Sequence, residues 1–414
     1  MNERIRLMTR AAGSRFAATM CGILAALATA SATAAQEQPV EFNHGFSNQG
    51  TAWVPTANYL EDLLQIDIRT PETTWHASFD DQSAELRSDL NAWGRNSIIG
   101  LAHSNGGLVA RNYVQRNDYS SRIDRLATIG TPHLGATIAA NVINGRVFNY
   151  FGGMAASIFG ALSFYEANDP DWYTDPVISY ALQFSFGAMQ YLGYALASNS
   201  SLVGLGFGYS LPVTQQDVPG STFLSQLNSP GGLNTESAIL TRKVGISTQV
   251  IPNYALLSVI SSDPGTWAII RVIAKYGALA LYFHYREHPD YWLQAHAGDW
   301  LTVAWYLHLM PVAWHDFIGA VQGFDGFNVY IYPSDGMIPH WSTEYPDAYR
   351  QINMDLPTFH ISHTQQKDHP AARQEFKDVL IGDFDVLQRT DEPPPEPEPC
   401  VPPPGKFICD PEPY

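Results

Sequence analysis

The stretch Gly100–Arg111, GLAHSNGGLVAR, ends an apolar run on a serine, Ser104, two residues before a glycine pair. A serine oxygen is a poor nucleophile until a base removes its proton, and an imidazole oriented by a carboxylate is the usual base. Two later segments hold those residue types: PSDGMIP at 333–339 carries Asp335, and HISHT at 360–364 carries His360 and His363. The chain order serine, aspartate, histidine fits attack on an acyl carbon, with the histidine ferrying the proton. Such a reaction also needs N–H donors for the oxyanion that develops. NHGF at 43–46 and Asn105, the residue after the serine, are placed to offer them.

This chemistry needs the serine on a sharp strand-to-helix turn of the Gly-x-Ser-x-Gly type. Here the first glycine is replaced by Ala102, a small residue that the turn also accepts. SIIGLA at 97–102 reads as a buried strand and 106–117 as a helix, with Gly106 and Gly107 allowing close packing. Around this unit, strand patterns at 39–43, 66–69, 125–130 and near 244–250 alternate with helical spacing at 52–64 and 83–93. Short alternating elements predict an α/β fold on a parallel sheet with right-handed connections. Strands are expected again at 327–332, FNVYIY, and 357–362, PTFHIS, before a closing helix at about 370–381. Ser104, Asp335 and the histidine then all lie past carboxyl ends of parallel strands, where open sheets place their sites.

Three histidines compete for the role of base. His360 falls inside the expected strand, where alternation turns it to the face opposite His363, so it reads as a packed strand residue. His363 falls at the strand end and is preferred; His369, beside Pro370 at a helix start, is the remaining alternative. His44 and His133 belong to loop motifs and read as structural. HYREH at 284–288 has the spacing of a zinc-binding His-x-x-Glu-His helix. Pro289 ends any helix there and no third ligand is evident, so no metal is assigned.

The chain has 414 residues, 45% of them apolar, and a formal charge of −17, which disfavours nucleic acid and strongly anionic membranes as partners. Arginines at 4, 6, 10 and 15, an Ala/Leu-rich run and Ala32-Thr33-Ala34 follow the layout of a secretory signal over residues 1–34. The mature protein is therefore expected outside the cytoplasm, secreted or periplasmic. In that setting Cys400 and Cys409 are expected to form a local disulfide. Residues 35–390 read as one domain with insertions at about 140–240 and 254–324, and 391–414 as a Pro/Glu-rich tail of unknown partner. Residues 176–216 carry no charged side chain and are rich in Tyr, Phe, Leu and Gly. Too apolar for water and too interrupted for a bilayer, this block is expected to cover Ser104 and open at a lipid–water interface.

The segments HGF, AHSNGGLVAR, IGTPHLGA, PGSTFLSQLN and SDGMIP together resemble the secreted α/β-hydrolase lipases, over roughly 39–140, 325–382 and a short stretch near 220. The resemblance implies an α/β-hydrolase fold with a central, mostly parallel sheet and a large, mainly helical lid insertion. It implies Ser104 as nucleophile, Asp335 as acid, a histidine near 363 as base, Phe46 and Asn105 as oxyanion donors, and no cofactor. The expected activity is hydrolysis of an apolar ester or lipid through an acyl-enzyme. Acyl transfer to another alcohol would use the same residues, and a non-catalytic surface-binding module could be built on the same fold.

Overall fold

The computed structural model describes residues 37–389 apart from 47, 117–119, 147–210, 253–254, 257–263, 288, 290, 296, 326–327 and 355–360. The expected signal segment, His360, the Cys400–Cys409 pair, the tail and nearly all of the 176–216 block lie outside the described residues.

The strands are β1 Gln38–Asn43, β2 Ile66–Arg69, β3 Ile98–His103, β4 Ile123–Ile129, β5 Arg242–Thr248, β6 Val321–Asp325, β7 Asn328–Ile331 and β8 Arg350–Met354. Six of them form one sheet in the order β2-β1-β3-β4-β5-β8, and every neighbouring pair is parallel. The chain lays β2 on one side of β1, then returns to the other side for β3 and works outward. The direction of winding therefore reverses between β1 and β3, and the carboxyl ends of those strands flank a natural crevice.

The principal helices are α1 Val54–Leu63, α2 Phe79–Trp93, α3 Asn105–Gln115, α4 Thr137–Ile143, α5 Pro230–Ile239, α6 Pro264–Arg286, α7 Ala297–Phe317 and α8 Pro370–Asp378. All six residues of β3 are buried, as expected of a central strand covered on both faces. Successive side chains of a strand point to opposite faces. Accordingly, Ile99 and Leu101 pack with Leu60 of α1 and Phe376 of α8, whereas Ile98 and Ala102 pack with Leu86 of α2 and Val109 of α3. Each such leucine contributes about 1.5–3 kcal/mol by leaving water. Local signals set the ends of α2: Ser78 accepts from the Asp81 N–H at the start, and Gly94, at φ 74°, stops the helix.

Two expectations need correction. FNVYIY does contain a strand, β7, but it pairs antiparallel with β6 in a separate two-stranded ribbon. Its exposure alternates along the strand, and Tyr330 is exposed, so this strand is half-solvated and unlike the buried strands of the parallel sheet. The sixth strand of that sheet is β8, RQINM, a segment with no apolar run. It lies at the sheet edge, where only one flank is covered, so polar residues are tolerated. Of the expected strand at 357–362, Ile361 and Ser362 are buried but irregular.

Residues 212–239 fold as three short helices, the last of them α5, which packs on α3. The second apolar block forms α6 and α7, which pack on each other. Among the described residues, no helix is long and apolar enough to cross a membrane.

Candidate active site

Ser104 sits between the last residue of β3 and the first of α3 with φ 55° and ψ −137°. This left-handed backbone is uncommon for a residue with a side chain and costs roughly 1–3 kcal/mol, so the surroundings must enforce it. They do so by crowding. A Cβ at Gly45 would overlap the Cβ of Ser104, and one at Gly106 would stand 2.6 Å from the His44 carbonyl oxygen. The loop after β1 and the first turn of α3 can meet this closely only with glycine at both places. The Ser104 N–H donates to the Ile129 carbonyl at 3.0 Å, which ties the turn to β4.

The histidine reaches Ser104 from the far edge of the sheet. His363 follows β8, and its Nε2 lies 2.9 Å from Ser104 Oγ while its Nδ1 lies 2.7 Å from Asp335 Oδ2. A carboxylate can only accept, so the imidazole carries its proton on Nδ1 and turns the Nε2 lone pair to the serine hydroxyl. Asp335, 1% exposed, is satisfied on both oxygens. Oδ1 accepts from the Met337 and Ile338 N–H groups at 3.0 and 2.8 Å, and Oδ2 also accepts from Gln366 Nε2 at 2.9 Å. The same Gln366 nitrogen donates to Thr248 Oγ1 at 2.7 Å, linking the carboxylate to the end of β5. The His363 N–H donates to the Asp335 carbonyl at 2.9 Å, so backbone and side chain hold the pair in register.

His103, immediately before the serine, is buried, and its ring centre is 4.7 Å from that of His363. Its Nε2–H donates to the His363 carbonyl at 2.8 Å. Burial, with Lys367 and His363 adding to it, pushes the His103 imidazolium well below its ordinary pKa. His103 is therefore neutral and acts as a fixed donor. Burial also lowers Lys367, to about 8. Sequence reasoning passed over both His103 and Gln366. The place of His103 next to the serine was a usable signal; Gln366, three residues past His363 in an irregular segment, had none.

Phe46 and Asn105 line a crevice together with Ser104 and His363. Asn105 opens α3, so its N–H carries the positive end of the helix dipole. The Phe46 ring packs edge-on against Trp75 at 4.8 Å. Ile138, Ala139, Met337 and Ile338 make the crevice walls largely apolar.

The other histidines stand apart from this site. His44 Nε2 accepts from the Thr73 N–H at 3.2 Å, and burial depresses its pKa. His133 stacks on Tyr345 at 4.3 Å and accepts from Arg111 Nη1 at 3.2 Å. His369 accepts from the Ala371 N–H at 3.2 Å as the N-cap of α8. In the HYREH segment His284 lies in the last turn of α6 and Glu287 in the turn after it. Among the described residues, no three His, Cys, Asp or Glu side chains converge as metal ligands.

Residues 39–157 match the family model described as PGAP1-like alpha/beta domain, a span that holds β1 to β4 and the Ser104 turn. No curated protein matches the chain in sequence. Among solved structures, the mature form of the Bacillus licheniformis lipase BlEst2 is similar at 13% identity, over 84% of this chain and 92% of that one, with a TM-score of 0.37. MenH from S. aureus is similar at 13% identity over 86% and 96%, with a TM-score of 0.34. An extracellular alpha/beta-hydrolase from a Paenibacillus species is similar at 14% identity over 57% and 98%, with a TM-score of 0.28. Similarities this distant transfer no activity, and the fold assignment rests on the sheet order, the serine turn and the matched span. On that basis the chain is an α/β-hydrolase-fold protein, similar over residues 39–157 to the PGAP1-like alpha/beta domain.

Proposed function

We propose that this chain is an exported serine ester hydrolase acting on apolar acyl esters. The observation that carries the reading is the hydrogen-bonded series from Ser104 Oγ through His363 to an Asp335 whose two oxygens are both occupied. His363 Nε2 takes the hydroxyl proton as Ser104 Oγ bonds to the acyl carbon. The carbonyl oxygen becomes an oxyanion, held by the Phe46 and Asn105 N–H groups. The His363 imidazolium, steadied by Asp335, then protonates the departing alcohol, and the carbon–oxygen bond to that alcohol breaks. Water enters, gives its proton to His363, attacks the acyl carbon and releases the acid, and the serine regains its proton. These roles are those of the general serine–histidine–aspartate mechanism. The apolar crevice walls favour an alkyl acyl group, and the signal-like N-terminus supports export.

The test is covalent labelling. A nitrophenyl alkylphosphonate, incubated with the folded protein, should add to one residue only and abolish turnover of nitrophenyl esters. Peptide mass analysis should find the adduct on Ser104. Failure to label, or a label elsewhere with activity lost, overturns the assignment.

A further inference from the structure

The crevice beside Ser104 holds a carboxyl for which the mechanism above has no use, besides the Thr214 hydroxyl. Its walls are apolar at Ala136, Ile138, Ala139 and Ile338, yet Asp217 lines it too. This carboxyl is only 7% exposed, and its Oδ1 has no hydrogen-bond partner. Among the described residues, no lysine, arginine or histidine forms an ion pair with it. Its backbone is held from both sides, with its N–H donating to the Val213 carbonyl at 3.0 Å and its own carbonyl accepting from the Ala136 N–H at 2.8 Å. The next turn is fixed as well, since a Cβ at Gly135 would stand 2.7 Å from Pro219 Cα. The side chain is thus carried on a braced segment.

Burial raises the Asp217 pKa well above the usual carboxylate range, although the Asn105 side chain and the Ala136 N–H favour the ionised form. A protonated carboxyl both donates and accepts hydrogen bonds. An Oδ1 without a partner in a largely apolar wall costs free energy, which a ligand with a matching polar group recovers and a plain alkyl chain does not.

The side of the crevice it occupies identifies which half of an ester it meets. His363 must protonate the leaving alcohol, so the alcohol departs on the histidine side. Asp217 neighbours the Asn105 side chain, so a ligand group that reaches its unpartnered oxygen sits by the proposed oxyanion donor, on the half of the ester that does not depart. Resting on the ester-hydrolase reading, we propose that Asp217 is a specificity-determining residue of the acyl pocket, selecting esters whose acyl chain bears a hydroxyl close to the carbonyl.

The experiment compares methyl butanoate with methyl 2-hydroxybutanoate and each enantiomer of methyl 3-hydroxybutanoate, by acid release at constant pH. The wild type should favour at least one hydroxylated ester by about tenfold or more in kcat/KM, the worth of one well-made hydrogen bond. Asp217→Leu should remove that preference, and Asp217→Asn, which keeps a donor and an acceptor, should retain part of it. The readout is the ratio between substrates, which a general loss of folded protein does not move. A wild type that turns over butanoate at least as well as every hydroxylated ester overturns this inference alone. A preference that survives in Asp217→Leu also overturns it. No turnover of any ester by a protein that melts cooperatively overturns the ester-hydrolase reading and this inference with it.

Discussion

Two buried polar clusters in this molecule are built around a histidine, and they are arranged for opposite ends. In one, His363 lies between Asp335 and Ser104. In the other, His133 lies between Arg111 and Thr128, and Arg111 in turn binds Glu236 at 3.0 Å and Asn228 at 3.0 Å. Both clusters are close-packed, and both hang from the serine turn, since Arg111 sits on α3. The difference lies in which nitrogen lone pair is free to take a reacting proton. His133 spends its Nδ1 lone pair on a guanidinium, and burial, with Arg111 and Lys243 beside it, drives its pKa well down. His363 gives its Nδ1–H to a carboxylate and keeps Nε2 at a hydroxyl that faces a crevice. A buried histidine is common; one with a free, aimed lone pair is a reagent.

The comparison can be broken most decisively at Ser104. Ser104→Ala should lower kcat for a nitrophenyl ester by about four to six orders of magnitude, as removal of a triad member does, while the melting temperature stays within a few degrees. His363→Ala should fall as far, whereas His133→Gln should leave kcat within a fewfold; steady-state kinetics on all three decides it. Glu236→Ala should do the reverse, because it leaves the buried Arg111 without its carboxylate. A loss of about 3–5 kcal/mol in urea unfolding is expected, with kcat near wild type in protein kept below its transition.

A smaller effect sharpens the role of the residue behind the aspartate. Gln366→Ala removes one of the hydrogen bonds to Asp335 Oδ2 and should reduce kcat roughly 10- to 100-fold with little change in KM. An unchanged kcat would mean that the Met337 and Ile338 N–H groups hold the carboxylate unaided.

The last effect is one of stability and concerns Glu41, buried in β1 with neither carboxylate oxygen hydrogen-bonded. Burial, with a lesser contribution from Asp89, raises its pKa well above the usual carboxylate value. The folded protein keeps this proton at pH values where the unfolded chain has lost it. Glu41 therefore lowers stability as pH rises above its unfolded pKa, by at most about 1.4 kcal/mol per pH unit until the folded group ionises. Glu41→Gln should gain little over wild type near pH 4.5 and more as pH rises above it, levelling off once the folded carboxyl ionises, read as the difference in melting temperature.

Much of this arrangement was legible because its physics is local. Ile66–Arg69 appears as a strand where its spacing placed one, and β1, β3 and β4 agree with their apolar runs to within a residue or two. The Ser104 turn could be read because a strand, a crowded turn and a helix each leave marks within a dozen residues. The second half of the site left weaker marks. β8 sits at the sheet edge with Arg350, Gln351 and Asn353 exposed, so its pairing with β5 depends on the tertiary fold and not on its own composition. Gln366 and Asp217 matter through what folding brings beside them, and nothing in their neighbours along the chain announces it.

The place of β8 at the end of the sheet has a consequence for timing. The proposed base and nucleophile are 259 positions apart in sequence, and His363 follows a strand that, among the described residues, pairs in the sheet with β5. Contacts of such span form late, since a long loop must close before they stabilise anything. A chain in which β1 to β5 are already paired but β8 has yet to dock has a formed turn at Ser104 and no proton acceptor beside it. On the proposed reading, partly folded or partly synthesised forms would be catalytically silent on this ground alone, and turnover would report completion of the last sheet pairing.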